Sequence, residues 1–364
     1  MSGINVAAHR GIIVKSGATI EQLGEVDVAV FDKTGTLTLG TPRLVEVLPY
    51  AEPPTTSGHD AAMLLRLAAS VEQLSAHVLA RAVVEAAQER AVALFPATDF
   101  GEVLGKGVRA RIPVLGRSTP SIAESDGTLR DLAIGNRTYM RSLAVALPED
   151  LLAERERRVT NGQIVSFMTL DGHVVGLLVF ADVPRPELAQ LSADLKHAGI
   201  QQTVLLTGDG PTVANRIGAL AQVDHVVARC LPEQKVAAIV ELERQGRRVL
   251  MVGDGVNDAP ALATATVGLA MGAQGLTAAA AVADGVLLSN DILQVVAAVR
   301  LGRHVMRVAR QGIGVGMGLS LVAMAFAALG FLPPVAGAIL QEGIDVLVIV
   351  NALRAGMVQR DDVR

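Results

Sequence analysis

Between Gln311 and Gln341 the chain carries no charged residue, in the stretch QGIGVGMGLSLVAMAFAALGFLPPVAGAILQ. A helix needs about 20 predominantly apolar residues to cross a membrane, where every backbone polar group must be satisfied within the segment. Gln311–Leu332 is long enough for one span and Pro334–Leu353 for a second, with Pro333-Pro334 as the break between them. Arg300, Arg303, Arg307 and Arg310 precede this hairpin, and Arg354 and Arg360 follow it. Basic flanks favour the cytoplasmic side, which places both ends inside and the Pro-Pro turn outside. A buried helical hairpin of a soluble protein fits poorly with so long a charge-free run. Met1–Arg10 has no apolar stretch of signal-peptide length, so residues 1–310 are expected in the cytoplasm. The chain is therefore expected to be a multi-pass protein of the cell membrane, in contact with lipid. A basic cytoplasmic helix over residues 296–310 leads into the hairpin (residues 311–353), and a cytoplasmic tail follows (residues 354–364).

The hairpin accounts for the composition of the 364 residues, which are 51% hydrophobic and only 19% charged, where a soluble domain carries roughly 25% charged residues. So much apolar sequence excludes a disordered chain, and a single cysteine excludes a disulfide scaffold. The net charge is −4, and no basic block is interleaved with aromatics, so nucleic acid is not an expected partner.

Ahead of the hairpin, Val26–Asp32, Thr203–Asp209 and Arg248–Asp254 are near-continuous apolar runs of the kind that form parallel strands buried on both faces. Helical periodicity covers Arg185–Gly199, Pro211–Val223 and Pro232–Gly246, with Gly199 and Gly246 where helix ends belong. Strands alternating with helices predict a doubly wound parallel-sheet α/β domain, whose carboxyl edge gathers the three terminal aspartates. About 170 residues separate the first and second strands, far more than a loop. They carry a predicted helix over Ala61–Arg90 and strands over Gly107–Pro113, Leu132–Gly135, Gln163–Leu170 and His173–Phe180, the last two joined by an Asp171-Gly172 hairpin turn. An inserted α+β domain is expected over residues 42–160, between two parts of the first domain at residues 26–41 and 161–295, after a lead-in over residues 1–25. Leu48–Thr55 and Gly116–Thr128 have the composition of mobile surface loops.

Each strand end carries chemistry. Asp32, at the end of the first strand, is followed by Lys33-Thr34-Gly35-Thr36, a turn whose backbone N–H groups can hold phosphate oxygens while the carboxylate attacks phosphorus. Thr207-Gly208-Asp209 adds a hydroxyl, Lys235 adds positive charge, and Asp254 with Asn257 and Asp258 offers oxygen ligands for Mg²⁺. Phosphoryl transfer needs in-line positioning and charge neutralisation, and this set supplies both. Any one of these aspartates alone would more often be a surface residue or a helix cap.

Asp32–Thr38 (DKTGTLT), Thr207–Asp209 (TGD) and Gly253–Leu262 (GDGVNDAPAL) resemble the signature set of P-type cation-transporting ATPases, within the haloacid-dehalogenase superfamily. The resemblance implies that ATP phosphorylates Asp32, with Mg²⁺ held by Asp32, the Thr34 carbonyl and Asp254. It also implies that Thr207 and Lys235 contact the transferred group and that Asn257 and Asp258 complete the site. Glu72 and His77, Gly105-Lys106-Gly107 and Gly135-Asn136 resemble the nucleotide site of the heavy-metal class, in which the Glu and His contact adenine. That class usually has Pro after the His, where this chain has Val78, and a larger polar residue than Gly210 after Thr-Gly-Asp. Gln341-Glu342-Gly343-Ile344-Asp345 and Asn351–Arg354 resemble its last span. Glu342 and Asp345, three apart on one helix face, are candidates for the transported heavy-metal cation, the alternative being that Glu342 only caps the hairpin. Met317 and Met324 fit packing better than copper ligation, and Cys230 fits a small buried hydrophobe.

A pump of this class also has six earlier spans, an actuator domain and a Cys-Pro metal site, which have no counterpart in this sequence. The resemblance thus implies a split or truncated pump, with a second chain as partner. Two other readings stay open: a membrane-anchored phosphohydrolase and a non-catalytic ATP-binding subunit. Soluble phosphatases of the superfamily carry a second Asp two residues after the nucleophile, whereas this chain has Thr34 there.

Overall fold

The computed structural model describes residues 2–50, 60–113, 129–254, 258–272 and 281–354. It divides into two compact units, Met1–Thr38 with Pro184–Arg364, and Leu39–Val183. In chain order, α1 (Ser2–His9), β1 (Ile12–Val14), α2 (Gly17–Leu23) and β2 (Val28–Phe31) begin the first unit. The second unit holds β3 (Thr38–Pro49), α3 (Ala61–Glu72), α4 (Val78–Glu89), β4 (Thr98–Val103), β5 (Gly107–Pro113), β6 (Leu129–Gly135), α5 (Arg137–Ser142), α6 (Glu149–Thr160), β7 (Ile164–Leu170) and β8 (His173–Pro184). The chain then returns through α7 (Leu188–His197), β9 (Gln202–Leu206), α8 (Pro211–Ala221), β10 (His225–Val227), α9 (Pro232–Arg244), β11 (Val249–Gly253), α10 (Ala259–Thr264), β12 (Val267–Met271) and β13 (Gly285–Leu287). It ends in the long helices α11 (Gln294–Ala328) and α12 (Pro334–Leu353).

The first unit is a doubly wound seven-stranded sheet in the order β1-β13-β12-β11-β2-β9-β10, parallel except for β1, which runs antiparallel to β13. Alternation along β2 shows why both faces need cover. Ala29 and Phe31 pack with Leu191 and Leu195 of α7, Ile217 of α8 and Leu23 of α2, whereas Val28 and Val30 pack with Ile239 of α9 and Leu262 of α10. The expected lead-in is thus part of this core: Ala7, Ile12, Ile20 and Leu23 are buried in it.

The second unit is a six-stranded sheet in the order β3-β8-β7-β6-β5-β4, antiparallel from β4 to β8. Helices α3 and α4 cover one face and α5 and α6 the other. At the β7–β8 turn, Asp171 and Gly172 both have positive φ (50° and 80°), as a two-residue hairpin of this twist requires. Strands β7 and β8 complete this sheet by pairing with β6 and β3, so its unit runs to Val183 rather than ending at residue 160. The single helix read over Ala61–Arg90 is two helices. The His77 backbone N–H bonds the Ser75 hydroxyl (3.1 Å), and the Leu79 N–H bonds His77 Nδ1 (3.2 Å), so side chains cap a fresh helix start. Residues 51–55 and 116–128, expected as loops, lie outside the described residues.

Helix α11 fuses two segments that the sequence reading kept separate. No proline interrupts the chain between the basic residues and the apolar run, so one helix continues through both. At about 1.5 Å per residue it is about 52 Å long, well beyond a hydrocarbon core of about 30 Å. Its first turns, with Val295, Val299 and Leu301, belong to the core of the first unit. Farther on its apolar side chains are exposed: Met317 by 62% and Leu321 by 58%. Among the described residues α11 and α12 are the two helices long and apolar enough to cross a membrane.

Candidate active site

The central position of β2 brings the chemistry together. Its neighbours are β11 and β9, so Asp32, Asp254 and the Thr207–Asp209 turn emerge on adjacent carboxyl edges. The Asp32 N–H extends the ladder to the Val252 carbonyl (3.0 Å), which fixes the residue before its side chain is used. Asp32 Oδ2 accepts from the Thr34 N–H at 2.9 Å, and Oδ1 lies 2.6 Å from Lys235 Nζ. Lys235, in the first turn of α9, also donates to Asp258 Oδ1 at 2.7 Å. Pro232 opens that helix and the Gln234 side chain caps the Leu231 N–H at 2.8 Å, aiming Lys235 across the sheet edge. Gly35 has φ +70°, and a Cβ there would lie 2.3 Å from Asp254 Oδ2, so only glycine lets the turn lie against that carboxylate.

Burial, reinforced by Asp258, pushes the Asp32 carboxyl up to about 6, although Lys235 pulls the other way. Burial also raises Asp258 against the pull of Lys235. Burial would lower the Lys235 ammonium, but Asp32 and Asp258 hold it above its ordinary range. Ligand oxygens of Asp32, Asp254 and Asp258 lie within 4.8 Å of one another. Three carboxylates converge here, and an all-oxygen donor set of this kind suits Mg²⁺.

Lys33 Nζ pairs with Asp209 Oδ2 at 2.6 Å, which ties the turn after β2 to the turn after β9. Buried Thr207 donates through Oγ1 to Asp209 Oδ2 and accepts from the Asp209 N–H, both at 3.2 Å, while Gly208 lies exposed between them. Gly210 precedes α8, where an added Cβ would meet nothing within 4 Å, so no steric demand explains that departure from the family pattern. Asn257 lies outside the described residues. Cys230 is buried, as expected.

Sequence reasoning missed Arg185. This buried side chain donates from Nε to the Thr36 carbonyl (2.7 Å), from Nη2 to the Gly35 carbonyl (3.0 Å), and from Nη1 to the Asn290 carbonyl. It fixes the back of the Asp32 turn. The periodicity that placed it at a helix start carried no signal of this.

The second unit holds a cavity of about 170 Å³ lined by Glu72, His77, Glu102, Gly105, Lys106, Gly107, Gly135 and Asn136, among others. All the residues expected at a nucleotide site thus face one space. Gly107 and Gly135 sit opposite each other on β5 and β6. A Cβ on Gly107 would fall 2.3 Å from the Ile134 carbonyl, and one on Gly135 would fall 2.6 Å from the Lys106 carbonyl. Asn136 caps α5 through Oδ1 (2.9 Å from the Tyr139 N) and donates to the Gly105 carbonyl at 2.9 Å, which closes the cavity rim. His77 is oriented by its capping bond even with Val78 in place of proline. Glu72 is 7% exposed, and burial together with the charge of Glu102 raises its carboxyl to about 7.

In α12, Gln341 Nε2 donates to Asp345 Oδ1 (3.1 Å), and Gln341 Oε1 lies 3.2 Å from the Ser320 hydroxyl of α11. Asp345 thus belongs to an interhelical polar chain. Glu342 is exposed, and among the described residues no third acidic, histidine or cysteine group joins these two carboxylates.

A family model described as haloacid dehalogenase-like hydrolase matches residues 26–266. The manganese-exporting P-type ATPase of Mycobacterium tuberculosis is 34% identical over 353 residues, which are 97% of this chain and 46% of that protein. The probable copper-exporting P-type ATPase V of the same organism is 36% identical over 361 residues, 99% of this chain and 44% of that one. The crystal structure of a zinc-transporting PIB-type ATPase in its E2.Pi state superposes with a TM-score of 0.79 at 32% identity, covering 97% of this chain and 54% of that one. The chain spans about half the length of the curated relatives it matches.

Proposed function

Because the chain belongs to the haloacid dehalogenase-like hydrolases and corresponds to the C-terminal half of heavy-metal P-type ATPases, we propose that Asp32 takes the γ-phosphoryl group of ATP in a cycle that moves a heavy-metal cation across a membrane. The observation that carries this reading is the Asp32 carboxylate pinned from both sides, by Lys235 at 2.6 Å and the Thr34 N–H at 2.9 Å, beside two further carboxylates.

An Asp32 oxygen attacks the γ-phosphorus, the bond from that phosphorus to the β,γ-bridging oxygen breaks, and ADP leaves with the bond's electrons. Lys235 offsets charge on the incoming group, and Arg185 keeps the turn from recoiling as Asp32 becomes esterified. Asp32 and Asp254 would hold Mg²⁺, which neutralises phosphate charge when bound. In the second unit, Glu72 and His77 are assigned to the base and Gly105, Gly107 and Asn136 to the rest of the nucleotide. Thr34 has no carboxyl with which to activate water, so the aspartyl phosphate formed by this chain is long-lived. Glu342 and Asp345 are assigned to the cation path. The remaining spans of the pump, on this polypeptide or a second one, complete that path, and the DNA upstream of Met1 distinguishes the two.

The test is incubation of the full chain in detergent with Mg²⁺ and γ-labelled ATP. The expected product is an acid-stable, hydroxylamine-sensitive phosphoenzyme, absent in Asp32→Asn. Equal labelling of that variant would overturn the assignment. Rapid turnover of a small phosphate ester by the wild-type chain would favour the membrane-anchored phosphohydrolase instead.

A further inference from the structure

Two carboxyl groups face the cavity of the second unit: Glu72 at the end of α3 and Glu102 on β4. They differ sharply in environment. Glu102 is exposed, and its Oε1 accepts from the Ser75 hydroxyl at 3.0 Å, which holds it at the cavity rim. Glu72 is buried, and no cation pairs with it among the described residues. The other ionisable groups facing the cavity are His77 and Lys106. His77 Nδ1 accepts the Leu79 N–H at 3.2 Å. A buried carboxyl beside an exposed carboxylate is the member of the pair that stays protonated, because ionising it would cost both desolvation and repulsion.

We propose that Glu102 is a specificity residue that selects adenine over guanine by keeping Glu72 in its neutral acid form. This rests on the reading of the cavity as a nucleotide site in which Glu72 meets the base. The argument is one of hydrogen-bond polarity. A neutral carboxyl offers an O–H donor and a C=O acceptor side by side. The adenine edge offers the complement, N1 as acceptor and the 6-amino group as donor. The guanine edge has an N1–H and a 2-amino group, two donors, which suit an ionised carboxylate. Proton loss from Glu72 therefore turns an adenine site into a guanine site. Burial and the Glu102 charge place that change near pH 7.

The experiment is calorimetric titration of the full chain in detergent with ATP and with GTP, in EDTA to prevent phosphorylation, from pH 6 to pH 8. The ratio of the two affinities is the readout, because titration of the phosphates is common to both nucleotides and cancels. In wild type the ATP-to-GTP preference is expected to fall about tenfold across that range, following one group titrating near 7. Glu102→Gln shifts the fall to lower pH and reduces the preference at pH 7. Glu72→Gln, whose amide keeps one donor and one acceptor, makes the ratio independent of pH and of Glu102→Gln. A wild-type ratio that stays flat overturns the proposal even if neither variant folds, as does a pH-dependent ratio unchanged in folded Glu102→Gln. In both cases the nucleotide reading stands. Failure of either nucleotide to bind at any pH overturns that reading, and the proposal with it.

Discussion

Arg185 carries no catalytic motif, yet one buried guanidinium serves the carbonyls of Gly35, Thr36 and Asn290. A hydrogen bond from a charged group contributes roughly 1.5–3 kcal/mol, and the acceptors of this one are held where water cannot easily replace it. Arg185→Ala is expected to destabilise the first unit by about 2–4 kcal/mol, seen as a lower denaturation midpoint. It should also slow phosphorylation of Asp32, whereas a surface arginine substitution such as Arg244→Ala should leave both within error. Unchanged labelling kinetics in Arg185→Ala would remove Arg185 from the positioning of the turn. Asp32, Thr207 and Asp254 could be singled out in the sequence because they stand just past the ends of apolar strand runs, and Lys235 because it lies in the first turn of a helix opened by Pro232. Arg185 could not, because its value comes from carbonyls about 150 and 105 positions away. Glu102 was missed for a similar reason: nothing in its own strand says that it faces Glu72.

At the level of elements, the three motif-bearing strands formed as predicted because each is largely apolar and, apart from Gln202 at the start of β9, buried on both faces. The break between α3 and α4 was hidden because helical periodicity continues through it, and the interruption comes from Ser75 and His77 offering their side chains to backbone N–H groups. The paired strands β5 and β6 show what an element contributes to the site. Their glycines Gly107 and Gly135 stand opposite each other where any side chain would strike backbone. Gly107→Val should force the two strands apart, at a cost of roughly 1–3 kcal/mol as overpacking, and distort the cavity wall. The expected outcome is loss of ATP binding and of labelling by ATP, with labelling of Asp32 by a small donor such as acetyl phosphate retained. Retained ATP affinity would show that the close approach of β5 and β6 does not shape the nucleotide site.

For the whole molecule, the sequence feature that restricts the fold most is also the one whose surroundings the structure leaves open to lipid. Met317, Leu321, Met324, Ile339 and Leu347 are all more than half exposed, at a cost of about 25 cal/mol per Å² of apolar area if they faced water. A bilayer removes that cost, and α11 carries the core of the first unit directly into it without a joint. If the hairpin crosses, basic Arg307 is expected on the cytoplasmic side and the Leu329–Pro333 turn on the other. The chain's single cysteine, Cys230, is buried, so Cys230→Ala provides a cysteine-free background. In that background Phe331→Cys is expected to react with a membrane-impermeant maleimide added to intact cells, and Arg307→Cys only after the membrane is opened. Reaction of both positions only after permeabilisation would mean that the hairpin does not cross, and the apolar faces of α11 and α12 would then need a protein partner rather than lipid.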